Sequence, residues 1–347
     1  MKKAVLVLLL LAVVIVAGAA VSTSVLWGRI NEPYKGYVAG EQFVEIPQGA
    51  GAAEIRRRLL DANVIRDELT FRAALRLKGL SQSLKAGEYR FDRPMSAGEV
   101  IEKIARGEVY ARRITFPEGL TMADMARIYD MREFGKAADF LEAASDATLI
   151  RDLDPGAPDL EGYLFPETYA LSRGTPPSRL IAMMVNRFRA SYTEDLLARA
   201  RERGMTTRQV VTLASLIEKE TGREDERRLV AAVYTNRLKI RMGMQADPTI
   251  VYALQKAGKY DGNIQREDLQ IDSPYNTYRH AGLPPGPIAA PGEASLEAAL
   301  DPADVKYLYF VSRNDGSHVF AETLAQHNAN VREFQVLYFR RQRAGTR

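Results

Sequence analysis

The N-terminal segment limits what this chain can fold into more than any other part of the sequence. After Lys2 and Lys3, residues 4–28 carry no charged side chain and are mostly apolar. A helix needs about 20 such residues to cross a bilayer, so the run is long enough to span one. Trp27 is placed where an aromatic ring would lie at the membrane interface. We therefore predict a cytoplasmic tip and transmembrane anchor over residues 1–28.

A cleaved signal peptide is the alternative interpretation of the same segment. The sequence AGA at 17–19 resembles a small-residue cleavage site. The apolar run continues past the usual length of a signal-peptide core, which favours an uncleaved anchor. The lysines ahead of the run favour a cytoplasmic N-terminus and an exported body.

Composition excludes several functional classes. The 347 residues suffice for two ordinary domains. The net charge is only +4, with basic and acidic residues interspersed, so nucleic acid is not an expected partner. Because the chain has no cysteine, a disulfide scaffold, a cysteine nucleophile and a thiolate metal site are all excluded. The sequence also lacks a Gly-x-Ser-x-Gly elbow, a P-loop and a dinucleotide fingerprint.

Pro-x-Gly turns mark the organisation of the exported part. Residues 29–41 are polar and contain glycine, which predicts a linker. The segments 44–55 (VEIPQGAGAAEI) and 114–125 (ITFPEGLTMADM) each indicate a strand, a turn and a helix. Residues 42–110 are thus predicted to form a small α+β module. The order of its elements resembles the LysM-like modules of cell-wall proteins, which bind glycans containing N-acetylglucosamine, although a small α+β domain without that role fits equally well.

The remainder, residues 111–347, is predicted to be mainly helical with one β-hairpin. Asp315-Gly316 lies between two runs typical of strands and indicates a hairpin over 307–320. The predicted fold class is therefore α+β: an N-terminal transmembrane helix, the small module and a mainly helical domain with a small hairpin sheet. Predicted helices cover 67–78 in the module and, in the second domain, 121–130, 136–145, 177–191, 206–221 and 224–240. The segments FPETY, DPT and GLPPGPIAAPG are interpreted as proline-marked loops between these elements.

Two glutamates near the end of the 206–221 helix are candidates for chemistry. In ASLIEKETG (214–222), helical spacing puts Glu218 and Glu220 on the two shoulders of the apolar face and Lys219 on the opposite side. One explanation is structural, with a glutamate paired to an arginine such as Arg223. The other is a general acid, because apolar surroundings raise the pKa of a carboxyl group and let it protonate a glycosidic oxygen. Helical geometry does not choose between the two glutamates.

Besides ASLIEKETG, the chain contains six further motifs: LEGYLFPETY (160–169), VYTNRL (233–238), QADPTIVYAL (245–254), SPYNTYRHAGLPPGPIAAPG (273–292), YLYFV (307–311) and HVF…HN (318–328). These motifs, in this order along nearly the whole chain, resemble the YceG-like family of membrane-anchored endolytic murein transglycosylases. The resemblance implies a single-pass protein of the cell inner membrane with a periplasmic body. It also implies that residues 111–347 form a catalytic domain and that Glu218, the first glutamate of the Glu-Lys-Glu motif, is the catalytic residue. One departure from the family pattern is Ala246, where related sequences often carry a hydroxyl residue.

The reaction implied by the resemblance needs only one acid–base group. Glu218 would protonate the oxygen between N-acetylmuramic acid and N-acetylglucosamine. It would then deprotonate the C6 hydroxyl of the muramic acid, which closes onto C1 to give a 1,6-anhydro end without a cofactor. The implied role is to terminate the elongation of nascent strands, with the cell-wall synthases (penicillin-binding proteins) as partners.

The remaining candidate residues are expected to hold the glycan or orient the site. Tyrosine rings offer flat faces for sugars, and polar side chains on the same loops offer hydrogen bonds. Glu220 is interpreted as a partner that orients the catalytic group. The predicted substrate-binding residues are Tyr163, Tyr169, Tyr275 and Tyr278, together with Gln245, Asp247, Asn276 and Thr277.

Two other functions and a metal site remain as alternatives. A non-catalytic, membrane-tethered glycan-binding scaffold for wall synthases would share the same motifs, and an ordinary hydrolase would differ only in using water. A metal would have to be held by His318, Glu322 and His327, and packing or capping around the hairpin is the more typical role for those histidines. No metal is predicted.

Overall fold

The computed structural model describes residues 2–345 and has mixed helical and sheet structure, as predicted. Residues up to Arg113 form one compact unit together with Ala170–Gly174, and the rest of the chain forms a second unit. The six short strands make three separate two-stranded sheets. Met1, in the predicted anchor, and residues 346–347, at the end of the predicted catalytic domain, lie outside the described residues.

The first helix, α1 (Lys2–Asn31), contains the predicted anchor. Among the described residues it is the one helix that is long and apolar enough to cross a membrane, with its qualifying stretch at Val13–Asn31. A signal sequence would meet the same criterion, so both interpretations of this segment remain compatible with the structure. The end of α1 also belongs to the first unit, where Ile30 is only 4% exposed and Leu26 packs against the same apolar core.

The segment predicted as a linker, 29–41, differs from a free tether. Ile30 and Tyr37 are buried in the core of the first unit. Tyr34 and Met95 exchange backbone hydrogen bonds of 3.0 and 3.2 Å, which form an isolated β-bridge. Most residues of the segment are polar or small, but burial of a few apolar and aromatic side chains is enough to fix it to the core.

The predicted module at 42–110 has the expected α+β elements. Its two strands are antiparallel, with Gln42 opposite Phe91 and Ile46 opposite Gly87. Alternate strand residues point into a core that the helices cover, as the two-residue period of a strand requires. Binding of glycans by this module remains a prediction. The elements are β1 (Gln42–Ile46), α2 (Ala52–Asp61), α3 (Glu68–Lys78), β2 (Gly87–Phe91) and α4 (Ala97–Arg106).

The second unit is mainly helical, and the five helices predicted for it are confirmed to within one or two residues. The strands β3 (Ala111–Thr115) and β4 (Thr168–Ser172) pair where the chain passes between the units. Before β4 come α5 (Met122–Met131) and α6 (Ala137–Ser145); after it come α7 (Pro177–Ser191), α8 (Glu194–Glu202), α9 (Thr207–Glu220), α10 (Glu224–Lys239), α11 (Asp247–Lys256) and α12 (Glu293–Leu300).

Helix α11 begins where the sequence indicated a loop. Pro248 lies in the first turn of α11. A proline is tolerated there because the first backbone N–H groups of a helix have no intrahelical acceptor. The proline in Asp-Pro-Thr was therefore a start signal for a helix, which the sequence analysis interpreted as a loop signal.

Helix α9 lies at the centre of the second unit. Thr206 and Gln209 form the predicted capping box, with bonds of 2.9 and 3.2 Å. Nine of its fourteen residues are buried, and α8, α10, α11 and α12 pack against it. Residues 210–217 are all buried, so packing on several sides fixes the position of the last turn, which carries Glu218 and Glu220.

The C-terminal part contains the predicted hairpin and three further helical segments. Strands β5 (Tyr309–Ser312) and β6 (His318–Ala321) are antiparallel, with Ser312 opposite His318. The turn between them contains Asp315-Gly316, as predicted. The chain then forms α13 (Leu324–Val331), a π-helical turn (Arg332–Leu337) and α14 (Tyr338–Gly345).

Candidate active site

Glu218 is half-buried at the end of α9 and is held by the start of α12. Its Oε2 accepts a hydrogen bond from the backbone N–H of Gly292 (3.1 Å) and another from the hydroxyl of Ser295 (2.7 Å). Ser295 is fully buried, so its hydroxyl has little freedom to turn away. No donor in residues 2–345 occupies Oε1. One oxygen of Glu218 is thus fixed while the other is available to a substrate.

Two loops meet beside Glu218. The N–H of Gly119 donates to the carbonyl of Ala290 (2.9 Å), and the N–H of Ala290 donates to the carbonyl of Leu120 (2.8 Å). Lys219 donates from Nζ to the carbonyl of Gly119 (3.0 Å). The Pro-x-Gly turn at 117–119 is therefore joined both to α9 and to the segment that supplies Gly292.

Glu118, in the first of these loops, lies close to Glu218. A Cβ built on Gly292 would lie 1.9 Å from Oε1 of Glu118, so the Glu118 carboxylate lies against the residue that donates to Glu218. Partial burial, and next the charge of Glu218, raise the pKa of Glu118, while Arg227 lowers it. A second carboxylate thus lies beside Glu218, and no motif in the sequence predicted it.

Glu220, predicted to orient the site, faces a different set of partners. Its Oε1 accepts a hydrogen bond of 2.6 Å from the hydroxyl of Tyr234, which is buried. Burial raises the pKa of Glu220, and the charge of Asp247 adds to this, whereas the Tyr234 bond, His318 and Arg237 lower it. Glu220 therefore belongs to a polar network with Tyr234, apart from the donors that hold Glu218, and its orienting role remains a prediction.

Asp247, Tyr278 and Gln245 lie on the surface near this network. The Tyr278 hydroxyl donates to Oδ1 of Asp247 at 2.5 Å. Burial raises the pKa of Tyr278, followed by its bond to Asp247. Gln245 is exposed with a positive φ of 49° and donates its N–H to the carbonyl of Thr277 (3.3 Å). These three predicted residues are accessible to a glycan.

Asn276 and Thr277 are buried and hold the loop that carries Tyr278. The Asn276 amide donates to the carbonyls of Leu269 (3.0 Å) and Ile271 (2.9 Å). The Thr277 hydroxyl accepts from the N–H of Ala246 (3.0 Å) and contacts the hydroxyl of Thr249 at 2.9 Å. Since these polar groups are occupied inside the protein, the geometry favours a supporting role over the predicted contact with substrate.

Tyr163 and Tyr169 are also interior residues. Tyr163 is 1% exposed and donates to Oδ2 of Asp154 at 2.6 Å. Tyr169 is 5% exposed and donates to the carbonyl of Phe165 at 2.8 Å. Neither ring has a face open to a sugar in this structure. The LEGYLFPETY motif indicated sugar-binding rings, but it did not reveal which way the rings point.

Tyr275 lies beside a separate cavity. Its ring is 4.8 Å from that of Tyr252, and Lys256 lies over both rings. Tyr275 lines a cavity of about 210 Å³ together with Asp159 and Glu161, among others, and Glu218 is not one of its lining residues. Of the predicted binding residues, the structure therefore gathers Asp247 and Tyr278 near Glu220 and places Tyr275 by this cavity.

The histidines considered for a metal site have other neighbours. His318 pairs through Nδ1 with Oε2 of Glu226 at 2.7 Å. His327 stacks on Tyr309 with ring centres 5.1 Å apart. Within residues 2–345, no group of three or more acidic or histidine side chains is placed to share a metal ion.

The residues missed by sequence reasoning all have long-range partners. Gly292 and Ser295 follow Glu218 by more than 70 positions, and Glu118 precedes it by 100. Glu118 lies in a Pro-x-Gly segment that was interpreted only as a strand, a turn and a helix, and Gly292 ends a motif that was interpreted only as a proline-marked loop and used for the family resemblance. The motifs marked both loops, but no rule of sequence spacing predicts that these loops contact helix α9.

Comparisons with known proteins agree with the resemblance seen in the sequence. The model of the YceG-like family matches residues 44–333. An endolytic murein transglycosylase of Bacillus subtilis is 36% identical over 302 residues, which cover 82% of each chain. One of Streptococcus pneumoniae is 31% identical over 84% of this chain, and this match spans only 58% of that protein. A crystal structure of a YceG-like protein from Listeria monocytogenes superposes with a TM-score of 0.57 at 32% identity, covering 84% of this chain and 98% of the other.

Proposed function

The chain belongs to the YceG-like family, and from this we propose that it is an endolytic murein transglycosylase, a lyase that cleaves peptidoglycan strands internally. Relatives with that name match most of the chain. A scaffold without catalysis is not favoured, because those relatives are named as enzymes.

The position of Glu218 carries the mechanistic part of the proposal. The donors Gly292 and Ser295 fix Oε2, and Oε1 remains for the substrate. In the proposed reaction, Glu218 delivers a proton to the oxygen linking N-acetylmuramic acid to N-acetylglucosamine, and the C1–oxygen bond breaks. Glu218 then takes the proton of the C6 hydroxyl as that oxygen bonds to C1. The carboxyl is again protonated at the end, and the strand ends in a 1,6-anhydro sugar.

The proposed location follows from α1. We infer that α1 anchors the protein in the inner membrane with the N-terminus in the cytoplasm and both units in the periplasm. The length and composition of the helix and the lysines ahead of it support this topology. A membrane position would bring the enzyme to nascent strands, so its action would terminate their elongation. Cell-wall synthases are the proposed partners, and the 42–110 module is proposed to contact glycan.

The test uses full-length protein in detergent micelles and purified glycan strands, with products identified by mass spectrometry. We expect internal cleavage that yields 1,6-anhydro-muramic ends. Glu218→Gln keeps the size of the side chain and an oxygen for Gly292 and Ser295 but removes the transferable proton. Its rate should fall by about 10²–10⁴-fold, the range typical of general acid catalysis.

Glu220→Gln is the matched control, because it makes the same change two residues away. It should cost less, through altered geometry alone. Reducing ends in place of anhydro ends would identify a hydrolase, and no cleavage by the wild-type protein would leave the scaffold. Near wild-type activity of Glu218→Gln with an inactive Glu220→Gln would reverse the assignment of the catalytic glutamate.

A further inference from the structure

Glu118 is held close to Glu218 by backbone contacts of its loop. Gly119 takes a positive φ of 74°, and its N–H is bonded to Ala290. A Cβ added to Gly119 would lie 3.7 Å from Cγ of Glu218. On the other side, Gly292 donates to Glu218 and leaves room for the Glu118 carboxylate only because it has no side chain. The carboxylates of Glu118 and Glu218 therefore both lie next to Gly292.

The fold gains only a weak ion pair from the charge of Glu118. The pair with Arg227 spans 4.0 Å, and the side chains of Glu118 and Arg227 are 48% and 13% exposed. Solvent screens so long a pair, because one of its members is half-exposed. Within the described part of the chain, the Glu118 carboxylate accepts no hydrogen bond, and the nearby charge of Glu218 disfavours its ionised form. Charges that are kept at a cost to stability are characteristic of functional sites.

The proposed reaction has a use for such a charge. When the glycosidic bond breaks, positive charge develops on C1 and the ring oxygen of the muramic acid. The departing oxygen leaves from the same face of the ring onto which the C6 oxygen later closes. Glu218 must therefore serve that face in both steps. Glu218 becomes a carboxylate once it has given up its proton, but it must remain placed to receive the proton of the C6 hydroxyl. A second negative group nearby would therefore lower the energy of the cationic sugar between the two steps.

We propose that Glu118 is a catalytic residue whose carboxylate stabilises the cationic sugar between departure of the leaving group and closure of the C6 oxygen. This inference rests on the proposed function. No covalent bond to Glu118 forms, and no proton moves to it. Glu218 gives its proton to the leaving oxygen and recovers one from the C6 hydroxyl, while Glu118 stays ionised throughout. The loop contacts that fix Gly119 position the charge before substrate binds, which is how electrostatic catalysis avoids reorganisation during the reaction.

The experiment compares Glu118→Gln, Glu118→Asp and wild type as full-length proteins on purified glycan strands. Loss of one stabilising group typically lowers kcat by about 10²–10³-fold. We expect that loss for Glu118→Gln, with KM changed only a few-fold and a melting temperature close to that of the wild type. Glu118→Asp keeps the charge and should retain more activity than Glu118→Gln. Glu297→Gln, which removes an exposed carboxylate from the helix that carries Ser295, should behave as wild type.

Several results would overturn the inference. Cleavage by Glu118→Gln within about twofold of wild type would do so, as would a rise in KM at unchanged kcat, which would mark a binding contact only. A lowered melting temperature with equal losses in both Glu118 variants would make the residue structural. A switch to reducing ends would mean that Glu118 selects the nucleophile. Wild-type protein that releases no anhydro ends would instead refute the proposed function, and the inference with it.

Discussion

Protonation of Glu161 should make the stability of the second unit depend on pH. Glu161 is 8% exposed and accepts hydrogen bonds from the N–H of Met122 (2.9 Å) and the hydroxyl of Tyr252 (3.2 Å). Burial raises its pKa from about 4.5 to about 7, with a further rise from Asp159, while the two hydrogen bonds and Lys256 lower it. Between these two values the folded protein binds a proton that the unfolded chain has released. Stability therefore falls as the pH rises from about 4.5 through about 7.

The size of the effect follows from the shift. One pKa unit corresponds to about 1.4 kcal/mol, so raising the pKa to about 7 corresponds to about 3 kcal/mol of unfolding free energy. For a domain of 150–250 residues, each kcal/mol moves the melting temperature by about 2–4 °C. Glu161→Gln cannot ionise and keeps an oxygen for the N–H of Met122. Relative to this variant, the wild-type protein should lose about 5–10 °C between pH 5 and pH 8, because part of the change lies below pH 5.

The assay is circular dichroism of the full-length protein in detergent, melted at a series of pH values. Other carboxyls and the histidines titrate equally in both proteins, so the difference between the two melting curves isolates Glu161. Glu167→Gln is the control, since Glu167 is an exposed partner of Arg187 and should leave the wild-type slope unchanged. Parallel pH profiles for the wild type and Glu161→Gln would refute the reasoning.

Two further substitutions separate catalytic from supporting roles. Ser295→Ala removes the hydroxyl that fixes Oε2 of Glu218. Because a hydrogen bond to a charged group contributes about 1.5–3 kcal/mol, kcat should fall by about 10–100-fold in steady-state assays. An unchanged kcat would show that Gly292 alone positions Glu218. Tyr163→Phe removes a buried bond to Asp154 and should lower the unfolding free energy by about 1.5–3 kcal/mol while kcat and KM on glycan stay unchanged. A stable Tyr163→Phe protein with a raised KM would instead support the sugar contact predicted from the sequence.

Local signals in the sequence predicted the elements well but placed the side chains less well. The capping box at Thr206 and the apolar period of α9 depend on neighbouring residues, and both are confirmed. Asn276 and Tyr163 lie in motifs that pointed to function, yet their polar groups bond inside the protein. Which way a loop side chain turns depends on the tertiary contacts of the loop. Glu118 was missed for the same reason, because its relation to Glu218 exists only once two distant loops meet.

Helix α1 continues without a break into the core of the first unit, and this continuity would fix the orientation of that unit at a membrane. Leu26 and Ile30 lie on the helix and pack in the core, so rotation of the helix turns the unit with it. If α1 is the anchor, a continuous helix connects the membrane to the first unit, in place of a flexible linker. Each residue inserted ahead of Leu26 would lift the first unit by about 1.5 Å and swing it by about 100° around the helix axis. The first unit would then keep a fixed rotational orientation about the axis of α1, set by where Leu26 and Ile30 lie around that helix.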